Sequence, residues 1–217
     1  MDRICEKCGK TVQEAGAAFC PFCGHALPAG KAEPERNPQA ARMIQKALKT
    51  GTLPERKKIL EEAQRVCPDD PAIEWELLFI GTPDPKPARG KMDFSIIKSW
   101  LLQIYRKPGD FTAEKRNAMR KELFEGEQLQ KVMAGSADPE GKMEEYLERL
   151  CREYIDIFLK EDNQLMGNIF GLRIGRNRDK VLEGAVENMI RQIEADRELD
   201  TGRKQMLREA MMRALRH

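Results

Sequence analysis

The sequence predicts a mostly α protein: a small N-terminal β-hairpin module on a flexible tether, then an all-α body of about eight helices. Three observations predict it. Four of the six cysteines lie at or before position 23, as two Cys-x-x-Cys-Gly units. A stretch rich in Pro, Gly and charge follows, without a large apolar residue. From residue 39 onward, apolar residues recur at helical spacing, and most prolines and glycines stand between the runs. The boundaries are 1–28 for the module, 29–38 for the linker and 39–217 for the helical body.

In the module, Cys5-Glu6-Lys7-Cys8-Gly9 and Cys20-Pro21-Phe22-Cys23-Gly24 repeat one device eleven residues apart. Two thiolates separated by two residues reach one ion from a tight turn, and four soft ligands complete the tetrahedron that structural zinc prefers. A glycine after each second cysteine accepts positive φ, so the backbone curls and its N–H groups can point at sulfur. The spacer is long enough for a small hairpin, with Thr11-Val12 and Ala18-Phe19 as short strands. The expected cofactor is one structural Zn²⁺ on Cys5, Cys8, Cys20 and Cys23. A redox dithiol would call for one Cys-x-x-Cys beside a βαβ pattern, which is absent. His25 stands beside a complete ligand set and reads as a surface residue.

Residues 3–27 resemble the short zinc-ribbon modules found at the N-termini of many bacterial proteins. Their pattern of Cys-x-x-Cys-Gly, a Gly-containing turn and Phe-Cys-Pro-x-Cys-Gly-x-x-Leu is met from Cys5 through Leu27. The resemblance implies metal and a scaffold or interaction role, with some relatives touching nucleic acid. It implies no reaction. Ile4, Val12, Phe19, Phe22 and Leu27 are nearly all that the module can bury, so metal binding and folding should be one equilibrium.

After the linker, Met43, Ile44, Ala47 and Leu48 form one apolar stripe, ended by Gly51. Thr52-Leu53-Pro54-Glu55 reads as a capping box for a helix carrying Ile59, Leu60, Ala63 and Val66. Cys67-Pro68 stops that helix, and Asp70-Pro71 starts a third through Ile73, Trp75, Leu77 and Leu78. Leu60, Ala63 and Pro68 make residues 40–81 faintly similar to one tetratricopeptide hairpin, although no second copy appears at a 34-residue period. The Pro-rich loop 82–91 is either a surface loop or a hinge between two helical halves.

Asp93 is read as the cap of the next helix, lined by Phe94, Ile97, Trp100, Leu101, Ile104 and Tyr105 and ended at Pro108-Gly109. A helix from Thr112 to Phe124 follows, then a short one around Leu129 and Val132. Asp138-Pro139 opens a long helix with Met143, Tyr146, Leu147, Leu150, Tyr154, Ile155, Ile157 and Phe158, in which Cys151 is a core residue. Leu165–Phe170 form a short apolar segment. Asn177 caps a helix with Val181, Leu182, Val186, Met189 and Ile193, and Thr201 caps the last.

Hydrolytic chemistry has almost no candidates, with two histidines, one in the module and one at position 217, and three serines. The segment 135–142 mimics a phosphate loop but has the wrong glycine spacing, and Met143 stands where Ser or Thr would hold magnesium. Glu144, Glu145, Glu148 and Glu153 alternate with Lys142, Arg149 and Arg152, which reads as a salt-bridged surface. Arg173, Arg176 and Arg178, in a Gly-bearing loop entering a helix, are a candidate anion site. The basic residues of the last helix lie opposite a Met-rich stripe that reads as core.

A charged fraction of 34% and a mean hydropathy of −0.63 describe a well-solvated surface, with no apolar run near the roughly 18 residues of a membrane span. The start lacks an export signal, and paired Cys-x-x-Cys units suit a reducing compartment, so the expected location is cytoplasmic. The net charge of +2 falls near zero once four thiolates hold a divalent ion. That argues against a polyanion partner. The functional expectation is a non-enzymatic zinc protein that holds protein partners. The alternative is nucleic-acid binding through Arg3, Lys7, Lys10 and Lys31 with the loop at 171–180.

Overall fold

The computed structural model describes residues 3–4, 7–12, 22–23, 25, 37–80, 97–162 and 178–216. Among these the chain is mostly helical, with eight helices of two turns or more. They are α1 (Pro38–Lys49), α2 (Leu53–Val66), α3 (Pro71–Leu78), α5 (Ala113–Glu125), α6 (Glu127–Ala134), α7 (Pro139–Tyr154), α8 (Arg178–Ala195) and α9 (Thr201–Arg216). A single turn, α4 (Gln103–Arg106), lies between α3 and α5. The expected strand at 18–19, the loop 82–91, Asp93, Phe94, the segment 165–170, Arg173, Arg176 and Asn177 lie outside the described residues.

Helix starts follow the side chains that satisfy their first N–H groups. Asn37 accepts from Gln39 N, Asp70 from Ala72 N and Ile73 N, Thr112 from Lys115 N, and Asp138 from Gly141 N. At Thr52 the reading of a capping box changes. Its hydroxyl donates to Glu55 at 2.8 Å and caps no backbone N–H. The last helix begins one residue earlier than its expected cap allows. Asp200, not Thr201, accepts from Arg203 N at 2.9 Å, and Thr201 is already helical.

Of the helix expected from Asp93 to Tyr105, the described part from residue 97 is not one continuous α-helix. Ile97 is extended and bridges Ile80, residues 98–102 wind as a 3₁₀ helix, and only Gln103–Arg106 are α. Apolar residues spaced by three suit both helix types. Long-range partners accompany the tighter one: Lys98, Ser99 and Gln103 are buried together with Ile97, Leu102, Ile104 and Tyr105, while Trp100 and Leu101 are half-buried. Lys98 N donates to Phe79 O, and its ammonium pairs with Glu122 of α5. Beyond Tyr154, α7 widens into a π turn at Ile155–Leu159, which keeps Ile155, Phe158 and Leu159 inside.

Two apolar clusters share one wall. α1, α2 and α3 enclose Ala40, Ala47, Leu60, Ala63, Cys67, Ile73, Leu77 and Ile80. The larger cluster joins residues 97–106 to α5–α9, centred on Tyr146, Leu147, Leu150, Cys151 and Tyr154. α3 serves both, because Leu78 and Phe79 face the larger cluster and Ile73 and Leu77 the smaller. Cys67 and Cys151 are core residues, as their neighbours in sequence suggest. So is the stripe of α9, with Leu207, Ala210, Met211 and Ala214 buried.

Candidate functional site

At the N-terminus, Arg3–Ile4 pair antiparallel with Thr11–Val12, in the register Arg3 with Val12 and Ile4 with Thr11. These strands flank the first Cys-x-x-Cys-Gly unit. The strand at 11–12 is thus present, but its visible partner is 3–4, which sequence reasoning missed; two residues carry too little pattern to reveal it. Gly9 has φ +67°, the left-handed conformation that a side chain would resist. Lys10 lies over the Phe22 ring at 4.7 Å, so the second cysteine unit meets the end of the first turn. Cys8 is partly buried, Cys23 exposed and His25 partly buried. Cys5 and Cys20 lie outside the described residues. No group of three metal-ligating side chains occurs among the described residues; that set holds only two of the four thiols in question.

On the body, α7 and α9 border an open cleft of about 420 Å³, lined by Gly141, Glu144, Glu145, Glu148, Arg149, Arg152 and Arg213. The interleaved charges neutralise one another, as their alternation suggests: Lys142 pairs with Glu145, Arg152 with Glu148, and Arg213 with Glu144, Glu148 and Glu209. Arg149 goes further than its neighbours. It grips Glu76 of α3 with two bonds of 2.9 and 2.7 Å, reaches Glu153, and stacks its guanidinium 3.8 Å from the Phe79 ring centre. Burial pushes the Glu153 carboxyl above the usual range, against the pull of Arg149. Beneath the cleft, burial holds the Cys151 thiol far above its ordinary value, so it carries no thiolate. The carboxylates lining the cleft, Glu144, Glu145 and Glu148, are each held by a cation.

Candidate anion sites fare differently. At 135–142, the Gly141 N–H that an anion would need is taken by Asp138, and Asp138 N–H is taken by the Ser136 hydroxyl. Of the Arg173, Arg176 and Arg178 loop, only Arg178 falls within the described residues, as the first residue of α8. On α9, Arg203 binds Glu125 and Asp200, and Arg208 approaches Glu194.

All three tyrosines of the chain are buried, each beside a charged pair that joins two elements. Tyr105 adjoins Arg120–Asp196, Tyr146 adjoins Lys98–Glu122, and Tyr154 adjoins Arg106–Asp162. The pairs tie α5 to the 196–200 turn, α5 to the 3₁₀ helix, and α4 to the helical residues 160–162 that follow the π turn. No helix among the described residues is long and apolar enough to cross a membrane. No family model, curated protein or solved structure matches the chain.

Proposed function

We propose that this chain is a non-enzymatic zinc protein of the cytoplasm whose N-terminal module holds protein partners. One structural Zn²⁺ bound by Cys5, Cys8, Cys20 and Cys23 would order that module. The observation that carries the reading is the left-handed Gly9 directly after Cys8, between two paired strands. Such a turn lets successive backbone N–H groups face the sulfurs of one ion, and the soft four-thiol donor set fits zinc. Lys10 against Phe22 supports the closeness of the two cysteine units. Zinc would supply cross-linking and no reaction, because four thiolates leave no position for water.

Elemental analysis of protein made in metal-replete cells tests the zinc reading. One equivalent per chain is expected, falling several-fold in Cys8→Ser; a Cys67→Ser protein should keep its metal. Affinity purification from the native host, with and without residues 1–38, tests the interaction reading. Partners that survive the truncation would move the binding role onto the helices.

A further inference from the structure

Residues 37–66 hold seven Lys and Arg against three Glu, so this hairpin carries +4 while the whole chain carries +2. The near-neutral total conceals a basic end. On α1 the charge is also organised. At 100° per residue, Gln39, Arg42, Gln45, Lys46 and Lys49 share an arc of about 120°, and α1 contains no carboxylate. All five are exposed. None of the three cations forms an ion pair among the described residues, whereas α9 spends Arg203, Arg208 and Arg213 on neighbouring carboxylates. The opposite side of α1 is sealed against α2 and α3 through Ala40 and Ala47. The outward face of α2, by contrast, mixes Lys58 and Arg65 with Glu55 and Glu62.

We propose that the outward arc of α1 is a contact surface for duplex DNA, with Arg42, Lys46 and Lys49 on phosphates or base edges and Gln39 and Gln45 beside them. The composition decides against a protein occupant. Lysine is depleted in protein interfaces, and this arc has no aromatic or large apolar anchor; Leu48 lies at its edge. Cations with long amides are the groups that bind phosphates and read base edges. Single strands are disfavoured, because the arc offers no aromatic ring for stacking. Duplex RNA is disfavoured as well: a helix enters the wide B-form major groove and is shut out of the deep, narrow A-form one. The surface lies on the helical body, independent of the zinc reading.

Fluorescence anisotropy with the full chain and a labelled 20-base-pair mixed-sequence DNA tests this, alongside duplex RNA of equal length and a Glu-rich amphipathic peptide. DNA should bind at low salt, and three phosphate contacts give a log–log salt slope of about −3. Charge reversal at Arg42→Glu, Lys46→Glu and Lys49→Glu should weaken DNA binding at least about tenfold, with unchanged circular dichroism. The triple Gln variant should lose less and serves if the reversed protein misfolds. DNA binding that is unchanged in both variants, equal affinity for the RNA, binding of the peptide but not DNA, or no DNA binding at low salt would each overturn the proposal.

Discussion

Three phenols carry much of what single residues can reveal here. Each tyrosine is buried, and burial raises its pKa well above the usual range, helped at Tyr105 by Asp196 and at Tyr146 by Glu122, while Arg106 pulls Tyr154 the other way. In the unfolded chain phenols ionise near pH 10, about the free value. The folded chain therefore holds protons that the unfolded one loses, and stability falls as pH rises above that value. An alkaline titration should show no tyrosinate absorbance until circular dichroism collapses, both changes arriving together. A phenol titrating alone near its free value would contradict the burial. Tyr146 has no hydrogen-bond partner for its hydroxyl among the described residues, so Tyr146→Phe should cost less than about 1 kcal/mol in urea unfolding. Asp69 offers a backbone counterpart, with φ 63° in the turn between α2 and α3. Asp69→Asn or Gly should be nearly neutral, and Asp69→Val should cost about 1–2 kcal/mol.

Helices were legible where the stripe and the cap agreed. α7 shows this, with Asp138 capping and Tyr146, Leu147, Leu150 and Tyr154 inside. Residues 97–106 were not, because their three-residue spacing suits two helix types and long-range partners chose between them. Ile80 pairing with Ile97 and Glu122 drawing in Lys98 leave no local trace. Val181 shows the opposite limit: it fits the stripe of α8 and is nonetheless exposed. Of the candidate sites, the cysteine units stand out in the sequence because ligand chemistry imposes spacing. The basic arc of α1 escaped because apolar periodicity looks at the other side of a helix and a summed charge hides where charges sit. At the level of the module, a strong chelator should unfold residues 1–27 while far-ultraviolet ellipticity stays nearly constant. A large helical loss on chelation would mean that the metal supports the body.

Across the whole molecule, α3 is the common wall of two apolar clusters, and polar clamps hold it there. Glu76 is gripped by Arg149 of α7, and Glu74 accepts from Lys131 of α6 and Gln64 of α2. Removing one member of a largely buried pair strands the other. Arg149→Met should therefore cost about 2 kcal/mol, discounted for partial exposure, whereas Glu76→Leu with Arg149→Met should recover part of it. A double variant no better than the single would show that Arg149 matters mainly through its stacking on Phe79. The shared wall also fixes where the gene can be cut. A fragment ending at residue 80 would display Leu78 and Phe79 with nothing to cover them, and one starting at residue 97 would leave Tyr146 and the Arg149 guanidinium bare. Neither half should be made soluble alone, but co-expressed as two pieces they should find each other, since the seam between them is built like an interior.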